Sequence, residues 1–175
     1  MTNVLSYIVV IFVIGMTISI HQPTVRHLPV SAITVHYDTL LEAIAPRASS
    51  DRYIVLSLVD EAYADMAINL YETSLRPHHI NNYLFVGIGK TSCEFLAQES
   101  LACFYYIDDQ SGNRASTYGS AEFIRKMRIK NDIITQALSG NLTVIYTDLD
   151  VYFLSSPLDE IRVNHTLRTL YNRQL

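Results

Sequence analysis

Two aspartates stand where an apolar run of this chain ends. Asp148 and Asp150 follow the β-branched run 143–146, and a second apolar run, 151–154, comes directly after them. A buried carboxylate is costly unless a partner offsets its charge, and Mg²⁺ and Mn²⁺ prefer carboxylate oxygens. Residues two apart in an extended chain point the same way. The pattern therefore favours a divalent-cation site, with a polar turn at a strand end as the alternative.

The helix predicted over 118–138 carries a lysine on its apolar stripe. The stripe recurs at spacings of three and four residues and consists of Phe123, Met127, Lys130, Ile134 and Ala137. Lys130 could bind a phosphate beside the aspartates as a point charge, or extend along the core with its ammonium group in water. The other cations of this helix are expected on its solvated face: Arg125, Lys126 and Arg128.

Residues that could contact a ligand also stand at the end of the first predicted strand. Val59 and Asp60 stand at its end, and Tyr63 comes soon after. Tyr63 could stack on a base or a sugar, or it could pack at the start of a helix. An aspartate here would also suit a Mg²⁺-dependent phosphatase or a response-regulator-like domain, with Asp60 as the nucleophile. The aspartate pair in its strand context and the apolar N-terminus speak against that reading.

Strands and helices alternate along the chain. Apolar runs predict strands at 53–59, 83–88, 103–107 and 143–146, and periodic segments predict helices at 60–76, 92–100 and 118–138. Continuous apolar strands separated by helices are typical of an α/β fold with a mostly parallel sheet and helices on both faces. Ligands of such sheets bind beyond the carboxyl ends of the strands, which is where the aspartates lie.

Composition limits the class of protein. The chain has 175 residues, 49% of them hydrophobic, and a net charge of −4. This length suits one ordinary domain, and the negative net charge gives no support for nucleic-acid binding. We therefore expect no nucleic-acid partner.

The N-terminus contains a run of mostly apolar residues, 4–20. As a helix it would span about 25 Å, near the lower limit for crossing a bilayer. We favour an uncleaved signal anchor over a cleaved signal peptide, because no basic residue precedes the run; a buried core helix is a third option. The predicted organisation is a cytosolic tail at 1–3, a transmembrane helix at 4–20, a stem at 21–50 and the domain at 51–175.

Cysteines and glycosylation acceptors bear on the compartment. Cys93 and Cys103 could form a disulfide in an oxidising lumen or remain two buried thiols. Asn141 and Asn164 each begin an acceptor triplet for N-glycosylation. These features agree with a luminal glycoprotein.

Two segments resemble GT-A glycosyltransferases. The segment 56–64 is similar to their nucleotide-binding first loop, as in glycogenin-like enzymes. The segment 147–158 resembles the DxD segment of the nucleotide-diphospho-sugar transferase family, which includes the plant rhamnogalacturonan xylosyltransferases. Lys130 matches the helix lysine that precedes this motif, and the resemblance covers about 53–161.

The resemblance implies a retaining, metal-dependent transferase that moves a sugar from a nucleotide-diphosphate donor, with UDP as the expected nucleotide, to a glycan or protein acceptor. Asp148 and Asp150 would bind Mn²⁺ or Mg²⁺, and Asp148 could also touch the ribose. Lys130 would approach the donor phosphates. The base pocket would be lined by three residues: Val59, Asp60 and Tyr63.

The resemblance also implies a place in the cell. A short tail, an anchor, a stem and a luminal domain are the usual layout of Golgi transferases, so we expect a single-pass type II protein of the Golgi or ER membrane. GT-A domains continue well past the DxD segment, whereas this sequence ends at Leu175. We therefore expect the donor half of a site without its acceptor half. A catalytically inactive, nucleotide-binding paralogue or fragment is the alternative.

Overall fold

The computed structural model of the chain describes residues 37–107 and 115–162. The elements follow one another as α1 (Leu40–Ile44), β1 (Tyr53–Asp60), α2 (Ala64–Leu70), β2 (Tyr83–Ile88), α3 (Lys90–Gln98), β3 (Cys103–Tyr106), α4 (Ala121–Ser139) and β4 (Thr143–Tyr146). Residues 157–162 are also helical. The predicted alternation of strands and helices is thus confirmed for the described residues.

The described strands form one parallel sheet in the order β3-β2-β1-β4. Tyr53 is paired with Thr143 and Leu56 with Tyr146, so β4 lies beside the first half of β1. On the other side β2 pairs along β1 as far as Asp60. The carboxyl ends of β1 and β4 consequently lie at the same edge, as the sequence predicts.

Helices cover both faces of the sheet, so its strands are buried on both sides. Even-numbered residues such as Ile54 and Leu56 pack with α1 and α4, including Ile133. Odd-numbered residues such as Val55 pack with α2 and α3, including Leu70. Successive strand residues point to opposite faces of the sheet. Side chains at even-numbered positions of β1 and β4 therefore face α4.

The folded part begins before the predicted boundary at residue 51. Thr39 caps α1 in a reciprocal pair with Glu42, which satisfies backbone donors at the start of the helix. Leu40, Ala43 and Ile44 are buried in the α4-side core. The C-terminal part of the predicted stem, from residue 37 onward, therefore packs with the domain.

The helix predicted over 60–76 is divided into three types of turn. A 3-10 turn at Glu61–Tyr63 precedes α2, and a π turn at Tyr71–Leu75 follows it. The Arg76 N–H donates to the Tyr71 carbonyl oxygen at 2.8 Å, the wider spacing that defines a π turn. This departure from a regular helix matters for the candidate site.

A disulfide joins Cys93 on α3 to Cys103 on β3. The alternative of two free thiols is therefore wrong. Gly87 on β2 lies directly beneath the bridge, since a Cβ there would meet the Cys93 Sγ at 2.7 Å. The bridge links a strand at the edge of the described sheet to the helix that covers it.

Among the described residues, no helix combines the length and the apolar character needed to cross a bilayer. The predicted transmembrane helix at 4–20 lies outside them and stays a prediction.

Asp51 and Arg162 form a two-point ion pair that ties helical residues 157–162 to the start of β1. Arg162 Nε donates to Asp51 Oδ2 at 2.7 Å and the second bond measures 3.1 Å. The hydrogen bond from Arg162 is the main reason that the Asp51 pKa falls from 3.8 to about 2. Both side chains are about 40% exposed, so water and salt screen the pair.

Replacing Arg162 with glutamine should lower the free energy of unfolding at pH 7 by less than about 1 kcal/mol. Because the pair lowers the carboxyl pKa in the folded state, its contribution is complete above the unfolded value of 3.8 and is lost as the pH falls towards 2. Urea unfolding at several pH values measures the difference from the unsubstituted chain, with exposed Arg128→Gln as control. A difference that grows below pH 3.8 would contradict this account.

Candidate functional site

The candidate site lies at the carboxyl edge of the sheet, where β1 and β4 end. The chain leaves β1 towards β2 on one side, whereas β4 pairs on the other side. The strand order reverses at β1, and open α/β sheets hold ligands in the crevice at such a point. Asp60 ends β1 and Asp148 follows β4, so both aspartates lie at this edge of the sheet.

Asp60 and Lys126 form a buried ion pair between β1 and α4. Lys126 Nζ donates to Asp60 Oδ2 at 2.6 Å, and the two side chains are only 7% and 6% exposed. The prediction that Lys126 lies on the solvated helix face is therefore wrong. Asp60 has the same strand parity as Ile54 and Leu56, which directs its side chain towards α4.

Within the described residues, Asp60 Oδ1 is also buried and has no hydrogen-bond partner. A ligand could reach this carboxylate only after a local movement. The burial fits a structural role for the Asp60 side chain and argues against the alternative of an exposed phosphatase nucleophile.

Lys130 lies one helical turn after Lys126 and pairs with Asp148. Its Nζ donates to Asp148 Oδ1 at 3.0 Å, with the two side chains 19% and 42% exposed. The same ammonium group lies 4.1 Å from the centre of the Tyr146 ring, a cation–π contact. Residues four apart share a helix face, so α4 directs both lysines to the ends of neighbouring strands.

Tyr146 connects these two strands from within the core. The Leu58 N–H donates to its hydroxyl oxygen at 3.4 Å. Burial, followed by the negative charge of Asp148, raises the Tyr146 pKa, so the phenol stays protonated at neutral pH. The uncharged Tyr146 ring thus packs against the ammonium group of Lys130.

The two aspartates of the motif differ in exposure. β4 ends at Tyr146, and residues 149 and 150 form a turn, so the chain is not extended from Asp148 to Asp150. An extended backbone therefore does not align the two carboxylates, in contrast to the expectation from their spacing. Asp148 is half-buried beside Lys130, and Asp150 is exposed at the turn.

Val59 and Tyr63 occupy different environments in the first loop. Val59 is fully buried in the core on the α2 side, so its side chain does not face the crevice. Tyr63 ends the 3-10 turn with 39% of its surface exposed. Of the residues predicted to line a base pocket, Tyr63 alone presents a substantially exposed side chain.

The segment after the motif is held by residues that the sequence analysis did not select. The Phe153 N–H donates to Ser74 Oγ at 3.0 Å, and His78 Nε2 lies 2.8 Å from the Phe153 carbonyl oxygen. Ser74 belongs to the π turn and is fully buried. A serine and a histidine four residues apart around Pro77 give no recognisable motif, so no pattern in the sequence identifies this contact.

A cavity of about 510 Å³ lies beside the first loop, and neither aspartate of the pair lines it. Of its side chains that the structure describes, Glu61, Asp65 and Glu94 are acidic, and Phe95 contributes an aromatic surface. Carboxylates repel a diphosphate. The chemistry of the carboxyl edge, rather than the size of this cavity, therefore locates the candidate site for a phosphorylated ligand.

The carboxylates at this edge could bind a metal ion that a bound ligand also coordinates. No group of three or more candidate metal-ligating side chains occurs in the described part of the chain. Mg²⁺-type sites commonly use one or two carboxylates, with water and substrate phosphates completing the coordination. Asp148 and Asp150 could supply those carboxylates, and the described residues offer no third side chain beside them for a site made of protein groups alone.

A parallel sheet with helices on both faces, and with aspartates and a lysine at its carboxyl edge, is typical of α/β proteins that bind ligands at that edge. Residues 78–169, more than half of the chain, match the family model described as nucleotide-diphospho-sugar transferase. The chain belongs to this family, which confirms the family resemblance seen in the DxD segment.

A curated relative agrees with this membership. The chain is 26% identical over 121 residues to a protein named beta-arabinofuranosyltransferase RAY1 from Arabidopsis thaliana. The match covers 67% of this chain and 22% of that protein, so the chain spans about a fifth of the relative's length. No solved structure matches significantly. The family's description and the relative's name both refer to the transfer of a sugar.

Proposed function

We propose that this chain forms the donor-binding part of a metal-dependent glycosyltransferase that uses a nucleoside-diphosphate sugar, with UDP as the nucleotide. The observation that carries the proposal is the Lys130–Asp148 pair at the carboxyl edge. It combines a cation suited to phosphate with a carboxylate suited to a metal ion. Family membership makes a nucleotide sugar the ligand that needs both groups.

Asp148 and Asp150 would hold Mn²⁺ or Mg²⁺ together with the donor diphosphate. When bound, the metal would neutralise the charge that develops on the departing nucleoside diphosphate. Lys130 is already 3.0 Å from Asp148, and its long flexible side chain can turn from that carboxylate to a phosphate oxygen. The buried Lys126–Asp60 pair would hold α4 against β1 during this exchange.

The first loop would contact the base. Tyr63 offers an exposed ring for stacking. The side chains of Val59 and Asp60 are buried, so we assign their contact with the nucleotide to backbone groups. For the acceptor we propose a glycan or a glycoprotein.

The Cys93–Cys103 disulfide supports a secretory location, because such bonds persist in oxidising compartments. Asn141, the first glycosylation acceptor, is exposed. We propose a single-pass type II protein of the Golgi or ER membrane, anchored through residues 4–20, with a luminal domain.

The full chain should bind UDP in the presence of Mn²⁺ and much less in its absence. We expect Asp148→Ala and Asp150→Ala to weaken the Mn²⁺-dependent affinity by about 10- to 100-fold, or about 1.4 to 2.7 kcal/mol. Lys130→Ala should cost about tenfold, because the phosphates lose a charged partner. Isothermal titration calorimetry measures these dissociation constants.

Asp159→Ala is a matched control, since this aspartate is 76% exposed and interacts with Arg162 rather than with the crevice. It should bind UDP and Mn²⁺ like the unsubstituted chain. Binding that ignores both Mn²⁺ and the two aspartate substitutions would refute the proposal. Binding without sugar transfer or donor hydrolysis would instead favour the inactive, nucleotide-binding alternative.

A further inference from the structure

The segment directly after Asp150 is anchored to the domain on one side. Val151 and Phe153 are 8% and 5% exposed, whereas Tyr152 and Leu154 are 54% and 84% exposed. Phe153 and Val151 pack with the core on the α2 side. The chain after the motif is thus fixed by alternate residues, although Asp150 itself is exposed.

Two side chains satisfy both backbone polar groups of Phe153. Ser74 Oγ accepts from its N–H at 3.0 Å, and His78 Nε2 lies 2.8 Å from its carbonyl oxygen. A carbonyl can only accept, so the His78 Nε2 carries the proton that is donated. The backbone of Phe153 is therefore held by two residues, Ser74 and His78, that lie close together in the sequence.

That stretch has an unusual backbone. Tyr71–Leu75 forms a π turn, and His79 adopts a positive φ of 54°. π turns are rare overall, and those that occur often lie at functional positions. A non-glycine residue at positive φ costs energy that the surrounding structure must offset. The π turn places Ser74 in a fully buried position beside Phe153.

We propose that Ser74 and His78 are positioning residues for the metal-binding turn. By holding the backbone of Phe153, they limit the movement of Asp150 relative to Asp148. This inference rests on the proposed function, in which both aspartates bind the metal–diphosphate unit. Residues that orient metal ligands typically change metal affinity by about 10- to 100-fold when they are removed.

The physical reason is the entropy of an exposed turn. A carboxylate on a mobile segment must be ordered when the metal binds, and the lost conformational entropy weakens the binding. A segment anchored in advance has already lost that freedom. Without the anchor, Asp150 would bind the same metal at a lower affinity, while the fold of the sheet would remain.

The test compares four variants of the full chain by calorimetry with Mn²⁺ and UDP. We expect Ser74→Ala and His78→Ala to raise the dissociation constant about tenfold. His78→Gln keeps an N–H donor and should restore most of the affinity. Ser92→Ala is the matched control, because Ser92 is equally buried and bonds the Ile88 carbonyl at 2.8 Å, away from the motif.

Amide hydrogen exchange adds a readout that does not depend on the ligand. Exchange at the Phe153 amide should accelerate in Ser74→Ala and stay unchanged in Ser92→Ala. If Ser74→Ala accelerates exchange yet binds Mn²⁺ and UDP as the unsubstituted chain does, the positioning role is wrong and the proposed function stands. If the unsubstituted chain itself fails to bind, the proposed function fails and this inference fails with it.

Discussion

Replacing Lys126 with methionine should lower the free energy of unfolding by about 3 to 5 kcal/mol, because it leaves a buried carboxylate without its counter-charge. Lys126 Nζ lies 2.6 Å from Asp60 Oδ2, and both side chains are more than 90% buried. Asp60 Oδ1 already lacks a hydrogen-bond partner among the described residues. The carboxylate therefore depends heavily on this lysine.

Urea unfolding followed by circular dichroism measures the effect. Lys130→Met is the matched control: it removes the same charge one turn later, but its partner Asp148 is 42% exposed, so the loss should be at most about 1 kcal/mol. The double variant Lys126→Met/Asp60→Leu should recover most of the stability, since an apolar pair can replace a buried ion pair. A loss below about 1 kcal/mol for Lys126→Met would show that the pair is screened.

Removing the disulfide by Cys93→Ser/Cys103→Ser should lower the free energy of unfolding by about 3 kcal/mol. The bridge closes a short loop, with its cysteines 10 positions apart, and the chain-entropy model gives about that value for a loop of such length. The physical effect is that the unfolded chain regains conformations which the cross-link excludes.

Unfolding with and without a reducing agent separates this effect from damage to packing. Reductant should destabilise the unsubstituted chain by a similar amount and leave the double variant unchanged. Gly87→Ala offers a second check, because its new Cβ would lie 2.7 Å from the Cys93 Sγ and should destabilise the oxidised chain. Equal stability of oxidised and reduced chains would contradict the prediction.

The sheet could be predicted from the sequence because its strands are short, continuous apolar runs. The predicted bounds of Tyr83–Ile88 and Thr143–Tyr146 agree with the structure. The spacing of apolar residues predicts one helix after β1, because this spacing does not distinguish α-helical turns from 3-10 or π turns. The division into three types of turn depends on tertiary contacts such as the one between Ser74 and Phe153.

The candidate site could be predicted in part. Lys130 interrupts an apolar stripe of the predicted helix, which marks it as a candidate, and it does contact Asp148. Lys126 lies off that stripe, so periodicity predicts a solvated side chain, whereas its burial follows from a partner on another element. Its spacing of four residues from Lys130 was the signal that could have identified it. The role of His78 has no such signal, because it depends on a backbone contact far along the chain.

The pairing of β1 with β4 has a consequence for how the protein folds. Strand β1 can join β2 early, but its other neighbour is synthesised only after α4, and all the pairings are parallel. Contacts between distant parts of a chain form slowly because loop closure must come first. Asp60 can meet Lys126, and Lys130 can meet Asp148, only after α4 and β4 dock. Nascent chains that lack these elements would therefore expose one long side of β1, so the nucleotide binding proposed for this edge should appear only after α4 and β4 have docked.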